Sequence, residues 1–386
     1  MIPNQPGEIV KLCIATNRFV KGEGQGRVNY EIARQAAKAG HHVTCVAHEV
    51  SPDLHVRPRI SWVYMPSENW PFVLPGSLRF AKNSTQWLHD HGEDFDVIIG
   101  NGCNTWFPVD INVVHFVHGA WRQSPVHDAR VHGGTYGWYQ WTYSTLHATL
   151  ERKVLPRADR VVAVSNKVKR ELNAQGLPPD DVQVIHNGVD LETFSPGPAD
   201  RSALGLPPNA PLAFFAGDIQ TPRKNLDSVI EALVDASSLH LAVAGTTDGS
   251  PFPALAERLG VADRVHFLGY RTDIPDLMRA ADLFVFPSRY EACSLVLLEA
   301  MASGLPIVTA TTTGGAELVG DDCGIVLDDP DDHTGLLRAL QGLVDAPRRR
   351  ERMGDHARQR AEDLTWATMA ERYLHLAQTL STAVPA

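Results

Sequence analysis

Short apolar segments alternate with longer amphipathic segments along most of the chain. Short apolar runs bounded by glycine, proline or polar residues are typical of buried strands, and periodic segments between them are typical of helices. In the first half this pattern predicts one helix at 27–39 and strands at 10–15, 42–47, 95–99, 113–117 and 160–164. An alternation of this kind favours parallel sheets covered by helices on both faces.

The second half of the chain repeats the alternation more regularly. It predicts strands at 212–216, 239–244, 265–268, 283–286, 306–309 and 324–327, followed by helices over 331–380. The segment 194–211 contains five prolines and two glycines and is therefore predicted to be a linker. We predict an α/β protein of two Rossmann-like, doubly wound domains.

The predicted domains are residues 1–195, joined by a terminal helix at about 366–386, and residues 196–365. Ligands of open α/β sheets bind beyond the carboxyl ends of the strands. We therefore expect a central cleft faced by both domains, and functional residues in the loops that follow strands.

Composition and charge narrow the function. With 386 residues, 44% hydrophobic and 21% charged, the sequence is typical of a soluble two-domain protein without a signal peptide or membrane span. The net charge is −10, from +1 in residues 1–190 and −11 in the remainder, which argues against nucleic-acid binding. We predict a cytoplasmic protein. Segment 151–170, with seven basic and two acidic residues, faces either solvent or the inner membrane surface as a peripheral contact.

A glycine-rich segment, 21–27, follows the first predicted strand. Glycines let the backbone approach a ligand closely, and the positive end of the following helix points at this segment. Gly24, Gln25 and Gly26 are therefore candidates for contact with the phosphates or sugar of a sugar nucleotide. A plain tight turn is one alternative. A nicotinamide site, with Glu49 as the ribose-binding acid, is another, although the spacing is not Gly-x-Gly-x-x-Gly.

A second candidate segment carries two carboxylates and a predicted helix, 295–303. Ser294 is a favourable N-cap, and Glu291 precedes the start of the helix. The backbone N–H groups of Leu295 and Val296 lack helical partners and are suited to bind an anion.

Glu299 lies in the second turn of this helix, between apolar neighbours. A carboxylate in such a position needs a polar partner, and ribose hydroxyls would serve. The alternative is an ordinary surface helix with two solvated carboxylates.

These motifs together resemble a family 4 glycosyltransferase of the GT-B fold, whose signature is two glutamates separated by seven residues, here Glu291 and Glu299. The resemblance covers nearly the whole chain. It also rests on the glycine-rich segment and on 115–119, 161–166, 184–190, 265–269 and 313–317.

The resemblance implies roles for particular residues. Glu291 would contact the donor sugar, Glu299 would hold the ribose of the nucleotide, and His118 would assist near the reacting carbon. Other residues implied to bind the donor are Gly24, Gln25, Gly26, Gly217, Tyr270, Ser294, Leu295 and Val296.

A departing nucleotide diphosphate needs cations because negative charge accumulates on it. Lys224 occupies the family's lysine position, but Asp218 stands where the family has an arginine. We expect Arg223, in the same loop, to supply the missing guanidinium. In the opposite interpretation Arg223 is exposed and catalysis is weak or absent.

No metal and no cofactor are predicted. Asp94 and Asp96 immediately precede the strand at 97–99, where they are better interpreted as capping its start. His115 and His118 lack the spacing of a zinc site on a helix.

The predicted function is a retaining glycosyltransferase using a nucleotide diphosphate sugar, with UDP the commonest base in the family. The acceptor is unknown: a glycan, a lipid-linked sugar or a small molecule, in polysaccharide or glycoconjugate synthesis. Alternatives are a nucleotide-sugar epimerase of the same fold, a catalytically weak sugar-nucleotide-binding protein and, least favoured, a nicotinamide oxidoreductase. The oligomeric state is not predicted.

Overall fold

The computed structural model describes residues 9–67 and 73–383, which form two compact units. Among the described residues, the first unit comprises 9–67, 73–122, 139–187 and 366–383, and the second comprises 123–138 and 188–365. The strands of the described residues are β1 (Lys11–Ala15), β2 (Arg18–Phe19), β3 (His42–Ala47), β4 (Glu49–Val50), β5 (Ile60–Tyr64), β6 (Val97–Asn101), β7 (Ile111–Val114), β8 (Arg160–Ala163), β9 (Val182–Val184), β10 (Leu212–Ala216), β11 (His240–Ala244), β12 (Val265–Phe267), β13 (Leu283–Phe286), β14 (Ile307–Ala310) and β15 (Gly324–Leu327).

Helices connect most of these strands. Those of the described residues are α1 (Gly24–Lys38), α2 (Pro52–His55), α3 (Val73–His91), α4 (His118–Trp121), α5 (Asp128–Val131), α6 (Gly134–Val154), α7 (Asn166–Ala174), α8 (Leu226–Ala232), α9 (Phe252–Arg258), α10 (Ile274–Ala280), α11 (Leu295–Ala302), α12 (His333–Val344), α13 (Pro347–Ala361) and α14 (Trp366–Ala383). None of these described helices is long and apolar enough to cross a membrane.

Each unit contains a parallel sheet in which the strand order reverses once. In the first unit the order is β5-β3-β1-β6-β7-β8-β9, and in the second it is β12-β11-β10-β13-β14-β15. Every pairing within these two sheets is parallel. The order reverses beside β1 in the first unit and beside β10 in the second, and ligands of doubly wound sheets bind at such points.

The central strands are buried on both faces, which explains their continuous apolar sequences. All five residues of β10 and all four of β13 are buried. The bounds predicted for β3, β10, β13 and β15 are confirmed residue for residue.

Three predicted elements differ from the structure by two residues or more at one or both ends. The strand predicted at 113–117 is β7, which begins at Ile111 and ends at Val114, so that His115 and His118 follow the strand. The helix predicted from residue 27 begins at Gly24, so Gly24, Gln25 and Gly26 form its first turn and do not lie in a loop. The strand predicted at 95–99 is β6, which begins at Val97.

Glycine at position 26 has a packing reason. A Cβ atom there would lie 2.8 Å from Cγ2 of Val20 and 2.9 Å from Cγ of Glu23. The close approach of Val20 therefore requires glycine, which allows the first turn of α1 to form beside the preceding loop despite the low helix propensity of glycine.

The two units divide the chain differently from the predicted boundaries. Residues 123–138 group with the second unit, and the boundary in the connecting segment falls at 187/188, whereas the prediction placed it at 195/196. The terminal helix α14 groups with the first unit.

Candidate functional site

A cavity of about 650 Å³ lies at the carboxyl end of the first unit's sheet. It is lined by residues from the loops that follow β1, β6 and β7, together with the first turn of α1 and one face of α6. Gln25, Gly26 and His118 are among its lining residues, so the structure brings three of the predicted residues together.

Amide side chains form a buried network beside this cavity. Asn29 and Asn101, 72 residues apart, exchange two hydrogen bonds of 3.1 and 3.0 Å. Nε2 of His115 lies 3.1 Å from Oδ1 of Asn101, and burial lowers the pKa of His115 to about 4. This network ties α1 to the end of β6 and to the loop after β7, and burial keeps the His115 ring neutral at physiological pH.

Glu151 of α6 fixes the position of His118 at the start of α4. The backbone N–H of His118 lies 3.1 Å from each carboxylate oxygen of Glu151, and Nδ1 of the ring lies 2.5 Å from one of them. The backbone N–H of Gly119 donates to the same carboxylate at 3.4 Å. An ionised carboxylate only accepts hydrogen bonds, so Nδ1 carries the hydrogen and Nε2 remains for a ligand.

A second histidine stacks on the first. The rings of His118 and His147 are 4.7 Å apart at 24°, and Tyr143 lies 4.4 Å from His147. Burial, and secondly the neighbouring His118, lower the pKa of His147 to about 3. His147 is therefore neutral and restricts the rotation of His118 without adding charge.

In the second unit, the loops after β10 and β13 are joined by an ion pair. Nζ of Lys224 contacts Oε2 of Glu291 and lies 5.2 Å from the centre of the Phe286 ring. Lys224 is only 8% exposed, and its burial and the neighbouring Arg223 lower its pKa well below the usual range, while Asp218 opposes them. The ammonium form of Lys224 has three N–H donors, so it can donate to a ligand anion as well as to Glu291, and an anion beside it favours that charged form.

The amino end of α11 follows Glu291 after three intervening residues. Oγ of Ser294 accepts from the N–H of Leu297 at 3.3 Å, which confirms the predicted N-cap and the helix start at Leu295. The N–H groups of Leu295 and Val296 belong to the first turn of this helix, a position suited to a phosphate group.

A close turn at Gly314 holds this segment. Its N–H donates to the carbonyl of Glu291 at 2.8 Å, and its carbonyl accepts from the N–H of Ser294 at 2.9 Å. A Cβ atom at this position would lie 1.8 Å from the carbonyl oxygen of Ala292. Only glycine therefore fits there.

Arg223 is a neighbour of Asp218 in the loop after β10. Its guanidinium lies 3.7 Å from the Asp218 carboxylate, with 27% of the side chain exposed. Arg223 thus lies beside Asp218, the residue that stands where the family has an arginine. The binding of phosphate by Arg223 stays a prediction.

Arg289 holds the same loop from the other side. Its backbone N–H donates to the carbonyl of Arg223 at 2.9 Å, and its guanidinium donates to the carbonyl of Pro222 at 2.8 Å and to Asp227 at 2.9 Å. Arg289 therefore places Lys224 without being a candidate for ligand contact itself.

The remaining predicted donor residues lie at the same edge of the second sheet or in α11. Gly217 follows β10 directly and Tyr270 follows β12, where it is 80% exposed. Glu299 is partly buried in α11. Their contacts with a donor stay predictions.

Sequence reasoning missed Glu151, His147 and Arg289. Glu151 lies 33 residues from His118, and Arg289 lies 67 residues from Pro222. Glu151 is followed in the sequence by Arg152 and Lys153, so its low exposure of 6% could be seen only in the folded structure.

Among the described residues no group of three or more His, Cys, Asp or Glu side chains is arranged to hold a metal. Asp96 instead accepts a hydrogen bond of 2.7 Å from the backbone N–H of Lys11 at the start of β1. The absence of a metal requirement stays a prediction.

Comparison with known families agrees with this arrangement. Residues 22–193 match the model of glycosyltransferase family 4, and residues 198–360 match that of glycosyl transferases group 1. The chain belongs to glycosyltransferase family 4, as the sequence motifs predicted.

Curated relatives share about a third of the matched residues. D-inositol 3-phosphate glycosyltransferase 2 of Catenulispora acidiphila is 36% identical over 239 residues, covering 57% of this chain and 56% of the relative. The D-inositol 3-phosphate glycosyltransferase of Mycobacterium marinum is 33% identical over 250 residues, covering 62% and 52%. The matched region thus spans about half the length of these relatives.

Solved structures confirm the fold. A sucrose-phosphate synthase of Thermosynechococcus elongatus has a TM-score of 0.79 at 19% identity, covering 97% of this chain and 100% of that one. An Anabaena protein, HepE, in complex with UDP-glucose has a TM-score of 0.71 at 21% identity, with the same coverage. The two Rossmann-like domains are those of the GT-B fold.

Proposed function

We propose that this protein is a retaining glycosyltransferase that moves a sugar from a nucleotide diphosphate donor, UDP-sugar in the first place, to a hydroxyl group of an acceptor. The observation that carries the proposal is the Lys224–Glu291 pair beside the amino end of α11. A buried ammonium and the first-turn N–H groups of α11, both at the reversal point of the second sheet, suit a diphosphate.

Each part of this arrangement has a chemical task. When the bond between the anomeric carbon and the diphosphate oxygen breaks, negative charge grows on the leaving phosphate, and Lys224 and the α11 amides stabilise it. Arg223 adds a second cation. Glu299 is assigned to the ribose and Glu291 to the sugar hydroxyls, as the family resemblance implies.

The first unit supplies the acceptor side and His118. With Nδ1 held by Glu151, the Nε2 atom of His118 is presented to the cavity and assists the reacting sugar. In the proposed front-face reaction the acceptor oxygen bonds the anomeric carbon on the side from which the diphosphate leaves. The acceptor proton passes to the departing phosphate, so no metal and no covalent nucleophile is required.

Nucleotide binding is the first experiment. UDP, GDP and ADP are compared by thermal shift, and UDP at about a hundred times its Kd is expected to stabilise the protein by ~2.7 kcal/mol. Lys224→Met should reduce the thermal shift, because it should raise the Kd for UDP at least tenfold. Arg258→Ala, a change at an exposed position of α9 in the same unit, should leave it unaltered.

Turnover is measured separately from binding. His118→Ala should retain the UDP-induced shift and lose about a hundredfold or more in transfer rate, a range typical of losing one hydrogen-bonding group that stabilises the transition state. Equal turnover of His118→Ala and wild type at saturating donor would reject the role of His118. Incubation of UDP-sugar without acceptor distinguishes an epimerase, which would change the sugar under these conditions.

A further inference from the structure

The charged side chains around the first unit's cavity disfavour the binding of a phosphate group. Its charged lining residues are Arg18, Glu23, Glu49 and Glu151, so carboxylates outnumber the single guanidinium in the part of the wall that the structure describes. The carboxylate of Glu151 is already hydrogen-bonded to His118.

Arg18 is already engaged by two carboxylates. Its Nε donates to Glu49 at 2.8 Å, and its NH1 donates to Glu23 at 3.2 Å. The parallel pairing of β2 with β4 places Arg18 directly opposite Glu49. A ligand phosphate would therefore have to displace a carboxylate from Arg18 or approach a group of net negative charge.

Of the four histidines in the described cavity wall, three are also occupied or neutral, and Nδ1 of the fourth, His118, is held by Glu151. Nδ1 of His48 accepts a hydrogen bond of 3.1 Å from the backbone N–H of Ser67, so it carries no hydrogen while that bond exists. His115 and His147 are buried and neutral, as described above. Glu23 is the N-cap residue of α1, and its Oε1 lies 3.0 Å from the position of a Cβ atom at Gly26, so its carboxylate lies beside the first turn of the helix.

Hydroxyl groups, in contrast, find suitable partners. Amide side chains of Asn17, Gln25 and Asn104 line the cavity, and each offers both a donor and an acceptor. Oδ1 of Asn17 is buried and has no hydrogen-bond partner among the described residues. A hydroxyl can donate to that oxygen after a small rotation of the amide, whereas a phosphate dianion has no hydrogen to donate.

We propose that the acceptor of this enzyme is an uncharged polyol, and that Glu23 and Glu49 exclude phosphate monoesters by holding Arg18. The inference rests on the proposed transfer function and deepens it. It separates this chain from the relatives named D-inositol 3-phosphate glycosyltransferases, whose names give a phosphorylated acceptor.

The first test uses inorganic phosphate as the probe and does not depend on turnover. Phosphate is titrated into the protein saturated with UDP, which blocks the diphosphate site, and binding is followed by the ³¹P line width. The Glu23→Gln/Glu49→Gln variant should bind phosphate at least tenfold more tightly than wild type, and adding Arg18→Gln should abolish the gain. Glu93→Gln, an exposed glutamate outside the cavity, is the matched control and should behave as wild type.

Wild type that binds phosphate as tightly as the double variant would overturn the proposal. A gain in phosphate affinity that persists without Arg18 would also overturn it.

The second test compares transfer to myo-inositol and D-inositol 3-phosphate, and to glucose and glucose 6-phosphate. Wild type should favour the uncharged member of a pair at least tenfold in kcat/KM, and the double variant should reduce that preference. Preference for the phosphorylated member would contradict the inference while leaving transfer itself supported. Failure to transfer any sugar despite binding of UDP would count against the proposed function, and the phosphate titration would still decide the role of the two glutamates.

Discussion

At the scale of single residues, two buried histidines make stability depend on pH. Burial lowers the pKa of His147 to about 3 and that of His115 to about 4, whereas a histidine in the unfolded chain titrates near 6.5. Between these values the unfolded chain binds more protons than the folded one. The stabilisation is therefore complete above pH 6.5 and is lost as the pH falls toward 3 to 4.

We expect the urea midpoint of the first unit to decrease steadily from pH 7 to pH 4.5, with each histidine costing ~2.5 kcal/mol at the lower value. His147→Phe removes one of these groups while keeping an aromatic ring against His118, so the decrease should be smaller. His375→Phe, the same change at an exposed position of α14, should follow wild type. Identical pH dependence in both variants would show that His147 does not control acid stability.

At the scale of elements, the start of α11 depends on a turn from another part of the chain. Gly314 is bonded to Glu291 and Ser294, and its lack of a side chain lets the Ala292 carbonyl approach. Gly314→Ala should displace the segment 291–294, weaken UDP binding at least tenfold and lower stability by more than ~2 kcal/mol, as expected for overpacking against backbone.

The control for this prediction is Gly342→Ala. A Cβ atom there would lie 4.0 Å from its nearest neighbour, in the middle of α12 of the same unit. This change should stabilise the protein by up to ~1 kcal/mol through helix propensity. Calorimetric titration with UDP compares the two variants, and an unchanged Kd for Gly314→Ala would refute the assigned role of the turn.

At the scale of the whole molecule, the last helix belongs to the first unit although it follows the second in sequence. The buried residues of α14 recur at helical spacing, with Trp366, Ala370, Tyr373 and Ala377 on one face. Arg27 of α1 places its guanidinium 5.4 Å from the Trp366 ring. α14 therefore completes the core beside α1.

Deletion of residues 366–386 should destabilise the first unit and leave the second nearly unchanged. The reactivity of buried cysteines reports the unfolding of each unit separately. Cys13 and Cys45 are buried in strands of the first sheet, and Cys323 is buried in the second unit. Pulsed thiol labelling in urea should show Cys13 and Cys45 reacting at lower urea in the truncated protein, with Cys323 unaffected. A parallel shift of all three midpoints would contradict the assignment of α14 to one unit.

Local signals in the sequence were sufficient for much of the fold. Continuous apolar runs located β10 and β13, because these strands are buried on both faces and have no polar positions to obscure them. The cap at Ser294 located α11, because a helix start is satisfied by its own neighbouring side chain. The family motifs then identified the GT-B fold.

What the sequence alone could not show depends on contacts between distant segments. The early start of α1 at Gly24 reflects packing of Gly26 against Val20, which no propensity scale contains. The sheet brings side chains from distant segments together. Three features of the first unit follow from this: the hydrogen bond between Glu151 and His118, the neutral state of His147 and the pairing of Arg18 with Glu49. Hydrophobic periodicity is local and therefore readable in the sequence, whereas burial, charge pairing and the resulting pKa shifts are properties of neighbours in space, and only the tertiary structure decides those neighbours.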